Sequence, residues 1–175
     1  MSKRNLGMWT NLSLPKGVCM LMLIIASSSA HAVDLPIVLI SESELPFSLS
    51  PSNFDNSPSN FSNSISNFEN SASNFQNSES NFQNSSSNYN NGPNGNKRLI
   101  QTGNGTKVVG YYVVAESGVT NFFSPNGKRL FYNPKKGAGI FGGKDGSFCG
   151  VLIRGKNALS LELTEDGAKL LFLLE

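Results

Sequence analysis

The stretch "TNFFSPNGKRLFYN" (residues 120–133) places the pair Asn126-Gly127 between two runs of aromatic, apolar and other β-favouring residues. An Asn-Gly pair between such runs is the strongest short-range signal of a β-hairpin. The sequence therefore predicts two antiparallel strands joined by a tight turn, and the same pattern recurs on both sides of this stretch.

Three further turn signals, "TGNGT" (102–106), "GKDGS" (143–147) and "TEDGA" (164–168), have the same form, and the four glycines lie 22, 19 and 21 residues apart. The connections between these units are too short for crossover helices, so the strands of this module are predicted to be antiparallel. The final run "KLLFLLE" (169–175) has helical propensity but is assigned as the strand that pairs with "LSLEL" (159–163). The predicted fold class is all-β: residues 97–175 form a small antiparallel module of four hairpin repeats.

The length of the hairpin loops is a separate question. Pro125 favours a type I turn closing on Gly127, which gives a three-residue loop with a bulge. Two-residue loops would instead oppose apolar pairs, and such pairs stabilise a sheet, so the two-residue loop is preferred. Those pairs are Phe123 with Leu130, Ile100 with Val109 and Leu163 with Leu170.

Residues 52–96 carry a seven-residue repeat, Ser-Asn-aromatic-x-Asn-Ser-x, whose aromatic residues are Phe54, Phe61, Phe68, Phe75, Phe82 and Tyr89. Asn and Ser are poor helix formers, and in a plain strand an odd period would turn successive rings to opposite sides. A coil with one turn per heptad would suit Asn and Ser. However, one aromatic residue in seven buries too little surface to offset an ordering cost of about 1–2 kcal/mol per residue. We therefore predict a disordered low-complexity tract in the free monomer.

The N-terminal residues 1–32 have the pattern of a signal peptide. Lys3, Arg4 and Lys16 precede a short apolar core, and Ala30-His31-Ala32 is a small-x-small cleavage site. The chain is therefore expected to be exported, periplasmic or secreted, after cleavage near Ala32, with an uncleaved anchor as the alternative. Residues 33–51, which contain prolines and one apolar run, are predicted to be a linker with one short strand.

Without residues 1–32 the chain has no histidine and only one cysteine, Cys149. Within one chain this excludes Ser-His-acid and Cys-His catalysis, histidine zinc sites and an internal disulfide. Cys149 alternates with apolar neighbours and is predicted to be buried. Glu162, Glu165 and Asp166 cluster around the last predicted turn, where acidic residues are common, and so do not indicate a catalytic pair of carboxylates. No catalytic, cofactor-binding or metal-binding residue is predicted, and the protein is expected not to be an enzyme. Five aromatic residues are assigned to the core: Tyr111, Tyr112, Phe122, Phe123 and Phe131.

Acidic and basic residues are distributed unevenly between the two halves of the chain that follow the predicted signal peptide. Residues 33–96 contain six acidic residues and no Lys or Arg, whereas residues 97–175 contain eleven basic and six acidic residues, a formal +5. The acids of the repeats, Asp55, Glu69 and Glu79, are therefore expected to face basic residues of the β module. The basic binding candidates are Lys128, Arg129, Lys135 and Lys136. Because export removes the chain from cytoplasmic nucleic acid, an anionic polysaccharide or a lipid headgroup is the preferred anionic partner.

The repeats "SNFDNSPSNFSNS" and the following "VVGYYVVAESGVTNFFSPNGKRLFYNP" resemble a family of uncharacterised bacterial exported proteins with Asn/Ser-aromatic heptads. The strand-turn-Gly repetition separately resembles small fourfold "beta-flower" modules. These resemblances imply export and a β module, without implying catalysis.

The leading hypothesis is an exported, non-enzymatic binding or structural protein. Its six regularly spaced aromatic residues, together with the basic candidates, would mediate envelope contact or self-association through many weak contacts. The alternative is a secreted effector or inhibitor whose β module binds a partner protein, with the repeats as a spacer.

Overall fold

A computed structural model describes residues 34–93, 95–103, 105–155 and 159–172, so the predicted signal peptide lies outside the described residues. Eight strands form a closed barrel in which each strand pairs with its sequence neighbours and β1 also pairs with β8. The strands are β1 (Leu35–Leu39), β2 (Arg98–Gly103), β3 (Gly105–Val114), β4 (Thr120–Phe123), β5 (Arg129–Asn133), β6 (Gly139–Gly142), β7 (Phe148–Arg154) and β8 (Leu159–Leu163); a helix, α1 (Glu165–Phe172), follows β8.

Three of the four predicted hairpins form, namely β2–β3, β4–β5 and β6–β7. In the β4–β5 hairpin the Ser124 backbone N–H donates to the Lys128 carbonyl (2.8 Å), which leaves a three-residue loop. Gly127 has a φ of 90°, as the last residue of such a loop requires. The resulting bulge pairs Phe123 with Arg129. The preferred two-residue loop is therefore wrong at this hairpin, and the loop that Pro125 favours is the one observed. The other two preferred pairs are wrong as well, since Ile100 pairs with Val108 and Leu170 lies in α1.

The fourth predicted hairpin is wrong, because residues after β8 form α1. The Thr164 hydroxyl accepts a hydrogen bond from the Gly167 backbone N–H (3.3 Å) and so caps the first turn of the helix. Gly167 serves close packing instead of a turn, since a Cβ at this position would lie 2.2 Å from the Cys149 carbonyl oxygen. The helix buries Ala168 and Leu171 against the barrel.

The one short strand predicted within residues 33–51 is present as β1, and it closes the barrel, which the sequence did not indicate. β1 runs parallel to both of its neighbours, so that Ile37 pairs with Gln101 of β2 and with Leu161 of β8. The strands of residues 97–175 pair antiparallel as predicted, and the parallel strand β1 lies outside that module. Two adjacent parallel strands need a crossover connection, which is usually an α-helix. Here residues 40–97, which include the heptads, form that crossover.

The heptads are ordered, so the prediction of disorder is wrong. Each heptad makes one turn of a coil, and short 3-10 helices occupy Phe54–Asn56, Phe75–Asn77, Phe82–Asn84 and Tyr89–Asn91, with another at Glu42–Glu44 before the coil. The fifth residue of each heptad is a buried asparagine. We call Asn56, Asn63, Asn70, Asn77, Asn84 and Asn91 the inner asparagines.

The inner asparagines hold successive turns of the coil together. From Asn63 onward, each side-chain amide donates to two carbonyls of the preceding heptad, at 2.7–3.1 Å. Within a turn, the second residue, as Asn53 does for Asp55, accepts from the backbone N–H two residues later. The sixth residue, as Ser57 does for Ser59, makes the same kind of bond. The residues that seemed too polar to fold are thus the ones that satisfy the backbone.

Apolar side chains fill the barrel interior, and a second cluster lies outside it. Phe122, Phe131 and Leu161 are among the fully buried interior residues. The outer cluster of Val119, Tyr132 and Phe141 packs against Ile65 of the coil. All residues of β4, β5 and β6 are buried because the coil covers their outer face.

Candidate functional site

The coil presents one row of exposed aromatic side chains. Their exposed fractions range from 63% to 81%, although phenylalanine, which makes up most of the row, is among the residues most often buried. We call this row the aromatic ladder; it comprises Phe47, Phe54, Phe61, Phe68, Phe75, Phe82 and Tyr89. Six of these residues were predicted as binding residues, and the structure places them together on one surface.

The ladder points outward because of the way each heptad turns. The backbone N–H of Ser57 donates to the Phe54 carbonyl (3.1 Å), and the 3-10 turn that this bond closes directs Asn56 toward the barrel. Phe47 precedes the first heptad but has the same turn, since Ser50 donates to its carbonyl (3.2 Å). The paired rings among the described residues all belong to the barrel, so successive ladder rings do not stack on one another.

The opposite side of the coil is attached to the barrel by polar contacts of the inner asparagines. The Tyr132 hydroxyl donates to the Asn63 carbonyl (2.7 Å), and the Tyr111 hydroxyl donates to the Asn84 carbonyl (2.6 Å). Between them, the Asn121 amide donates to the Asn77 side-chain oxygen (2.9 Å). Because these groups are buried and directional, the coil is fixed in one register on strands β3 to β5.

Arg129, one of the predicted basic binding residues, is buried in this contact. Its guanidinium donates to the Asn70 carbonyl (2.8 Å) and to the Asn121 side-chain oxygen (2.8 Å), and it lies 4.9 Å from the centre of the Tyr132 ring. Burial lowers the pKa of Arg129 to about 10. This cation is part of the structural contact between coil and barrel.

Lys128, Lys135 and Lys136, the other predicted basic residues, are exposed on barrel loops. Lys135 and Lys136 line a polar cleft of about 490 Å³ between the coil and the loop before β6, opposite Asp55 and Glu69. Within the described residues no ion pair crosses this cleft. Glu79, the third acid of the repeats, accepts from the Arg129 backbone N–H (2.7 Å). The coil therefore attaches to the basic module through hydrogen bonds, two of which involve the charged groups of Arg129 and Glu79, and not through ion pairs between its acids and Lys or Arg.

Three further residues with potentially reactive side chains, Cys149, Glu165 and Asp166, are either buried or held in ion pairs. Cys149 is 1% exposed, and burial raises the pKa of its thiol to about 11, which confirms the prediction of a buried residue. Glu165 and Asp166 lie in the first turn of α1, where both pair with Lys169. Among the described residues, no group of three or more His, Cys, Asp or Glu side chains is placed to hold a metal ion. The described part of the chain also contains no helix that is long and apolar enough to cross a membrane.

Sequence reasoning missed the residues that attach the coil to the barrel. A signal was present in strands β4, β5 and β6, which read "TNFF", "RLFYN" and "GIFG" and do not alternate between apolar and polar residues. Such strands are typical of sheets covered on both faces. All five aromatic residues assigned to the core are buried, but Tyr111 and Phe123 form a stacked pair 5.3 Å apart that lies outside the interior cluster.

Comparison with protein-family models, with curated proteins and with solved structures gave no match for this chain.

Proposed function

We propose that this protein is an exported, non-enzymatic binding protein that contacts its partner through the aromatic ladder. The observation that carries the proposal is the exposure of seven aromatic side chains in one row on an ordered coil. An aromatic side chain presents roughly 200 Å², so rings that are about two-thirds exposed give an apolar surface of about 900 Å². The largest apolar patch on a typical monomer covers only about 300–600 Å² and is often functional.

The coil supports this function because it holds the rings in place before a partner arrives. The inner asparagines fix each turn to the preceding turn, and their contacts with Tyr111, Asn121 and Tyr132 fix the coil to the barrel. A preorganised surface loses less conformational entropy on binding than a disordered tract would. Individually weak ring contacts then add up along the row.

Export is part of the proposal and rests on the signal-peptide pattern of residues 1–32 and on the resemblance of the heptads to those of exported proteins. A non-enzymatic role is supported by the burial of Cys149 and by the engagement of Glu165 and Asp166 with Lys169. A spacer role for the repeats is disfavoured, because the coil covers strands of the barrel and would leave Tyr132 and Arg129 exposed if removed.

A capture experiment with envelope material tests the proposal. The bait is the chain from Val33 onward, which contains every described residue. The test variant replaces Phe54, Phe61, Phe68, Phe75 and Phe82 by Ser, and the matched variant replaces Lys128, Lys135 and Lys136 by Ser. All eight side chains are exposed, so both variants are expected to fold, and circular dichroism checks this.

We expect the ladder variant to lose capture of envelope components and the lysine variant to retain it. Retention by the ladder variant together with loss by the lysine variant would assign binding to the basic loops and to an anionic partner such as a polysaccharide. That result would overturn the proposed function.

A further inference from the structure

We propose that the aromatic ladder binds the aromatic ladder of a second copy of this chain, so that the protein forms a symmetric dimer. This inference rests on the proposed function and names the partner of the same surface. Three observations lead to it: the area of the ladder, its period and the state of the polar groups beside it.

The area of the ladder matches the requirement of a dimer. A standard protein interface buries about 800 Å² on each partner, and the ladder offers about 900 Å² of aromatic surface. Aromatic residues are enriched in the energetically dominant centre of interfaces. The central ring of the row, Phe68, has a ladder ring on each side of it in sequence, Phe61 and Phe75, and all three are at least 64% exposed. The ladder is therefore large enough to form an interface of standard size.

The period of the ladder also favours a second copy. Each ring follows the previous one after one turn of the coil, and successive rings do not stack on each other. A partner that engages the whole row must present contacts at the same interval, and a second copy does so by construction. A two-fold axis then makes the two surfaces self-complementary, as in most homodimers.

The polar groups beside the rings fit a protein surface better than a sugar chain. Sugar recognition needs directional polar groups that converge on the ligand. Along the ladder the side-chain oxygens of the second and sixth residues of the heptads are already engaged: the oxygen of Asn67 accepts from the Glu69 backbone N–H (3.0 Å), and the hydroxyl of Ser64 accepts from the Ser66 backbone N–H (3.1 Å). These acceptors are therefore less available to a sugar, and the rings are the largest side chains that the ladder offers to a partner.

The charge on the coil permits two copies to approach each other. The heptads contain three acidic residues and no Lys or Arg, and Glu79 among the three is engaged with the Arg129 backbone. Two acids on each copy, Asp55 and Glu69, can remain at the polar rim of the interface. The uncharged Ser and Asn residues form the rest of that rim, which is the usual composition of an interface edge.

Sedimentation equilibrium tests the dimer on the chain from Val33 onward, from low to high micromolar concentration. We expect a concentration-dependent dimer for the wild type. Replacement of Phe61, Phe68 and Phe75 by Ser should weaken the dimer more than about a hundredfold, because central aromatic residues dominate interface energetics. The matched replacement of Lys128, Lys135 and Lys136 by Ser should change the dissociation constant by less than about threefold, since exposed loop charges contribute little.

Cysteine cross-linking locates the contact. Ser66→Cys places a thiol two residues from Phe68, at an exposed position near the centre of the ladder, and the native Cys149 is buried. A short bismaleimide should couple the two introduced thiols of a dimer into a covalent product. The control is Val38→Cys, which replaces a side chain that is exposed on β1. The control variant should give no covalent dimer.

A wild type that stays monomeric overturns the second-copy proposal. A dimer that persists in the ladder variant overturns it as well, and so does cross-linking of the Val38→Cys variant without cross-linking of the Ser66→Cys variant. None of these results decides the proposed function, because the capture experiment uses the bait below the dissociation constant of the dimer, where the ladder is free, and its outcome depends only on whether the ladder variant loses capture of envelope components.

Discussion

The inner asparagines hold the coil together, and Asn77 tests this most directly. Its side-chain amide donates to the carbonyls of Glu69 (2.7 Å) and Ser71 (3.1 Å), and its side-chain oxygen accepts from the Asn121 amide (2.9 Å). Asn77 is fully buried. The change Asn77→Ala therefore removes three hydrogen bonds and leaves their partners without a replacement inside the protein.

The expected loss follows from the net value of a hydrogen bond, which is about 1 kcal/mol. Three lost bonds reduce the free energy of unfolding by about 3 kcal/mol, and the buried partners left unpaired add to this. Total stabilities are about 5–15 kcal/mol, so the loss is a large fraction. For a chain of this length it corresponds to a fall in Tm on the order of 10 °C.

Urea unfolding followed by circular dichroism measures this loss. The matched control is Asn90→Ala, which removes an exposed amide from the same coil. It should change the free energy of unfolding by no more than about 0.5 kcal/mol, as for other surface substitutions. Equal stability of the two variants would refute the role of the inner asparagines. A separate, earlier transition of the coil in the wild type would refute its fixed attachment to the barrel.

Three further predictions concern titratable groups. The hydrogen bond and charge of Arg98 hold the pKa of Asp34 below its usual value. The stability that this partly exposed pair contributes is therefore present above about pH 4 and is lost as pH falls through the lower folded-state pKa. Asp34→Asn should reduce that loss in acid-unfolding curves and should cost at most about 1 kcal/mol at neutral pH. Burial raises the pKa of Tyr111 to about 12, and unfolded tyrosines titrate near 10, so stability should fall as pH rises from about 10 to about 12. Tyr111→Phe should make this alkaline fall shallower in urea midpoints, at the cost of the bond to Asn84 at neutral pH. The Cys149 thiol should react with a thiol reagent at mildly alkaline pH only after unfolding, and equally fast labelling of the folded protein would contradict its burial.

The hairpins could be predicted from the sequence where the turn residues alone determine the loop conformation. Asn126-Gly127 and Asp145-Gly146 form loops in which each glycine has a positive φ. The pair Asp166-Gly167 has the same sequence as Asp145-Gly146 but lies in the first turn of helix α1. The difference lies in Thr164, which caps the helix, and in the close approach of Gly167 to Cys149, a tertiary contact that no local pattern contains.

The sequence allows a coil with one turn per heptad, but the surface that its aromatic residues could bury is too small to stabilise it, and this favours disorder. In the structure the rings stay exposed, and the asparagines supply the stability through hydrogen bonds to the preceding turn. The remaining contribution comes from barrel residues such as Tyr132, which lie far away in sequence. The same distance in sequence explains why the pairing of β1 with β8 was missed.

The crossover from β1 to β2 also sets a limit on the length of the repeat. Polar contacts of its inner asparagines with the barrel run from Asn56, which accepts from the Ala138 backbone N–H just before β6, to Asn84, which meets Tyr111 on β3. Deletion of a heptad in this range would leave the barrel group opposite it without its hydrogen bond. The order of the strands under the coil therefore constrains the number of these heptads, and the loss of one during evolution would have to be accompanied by a change in the barrel.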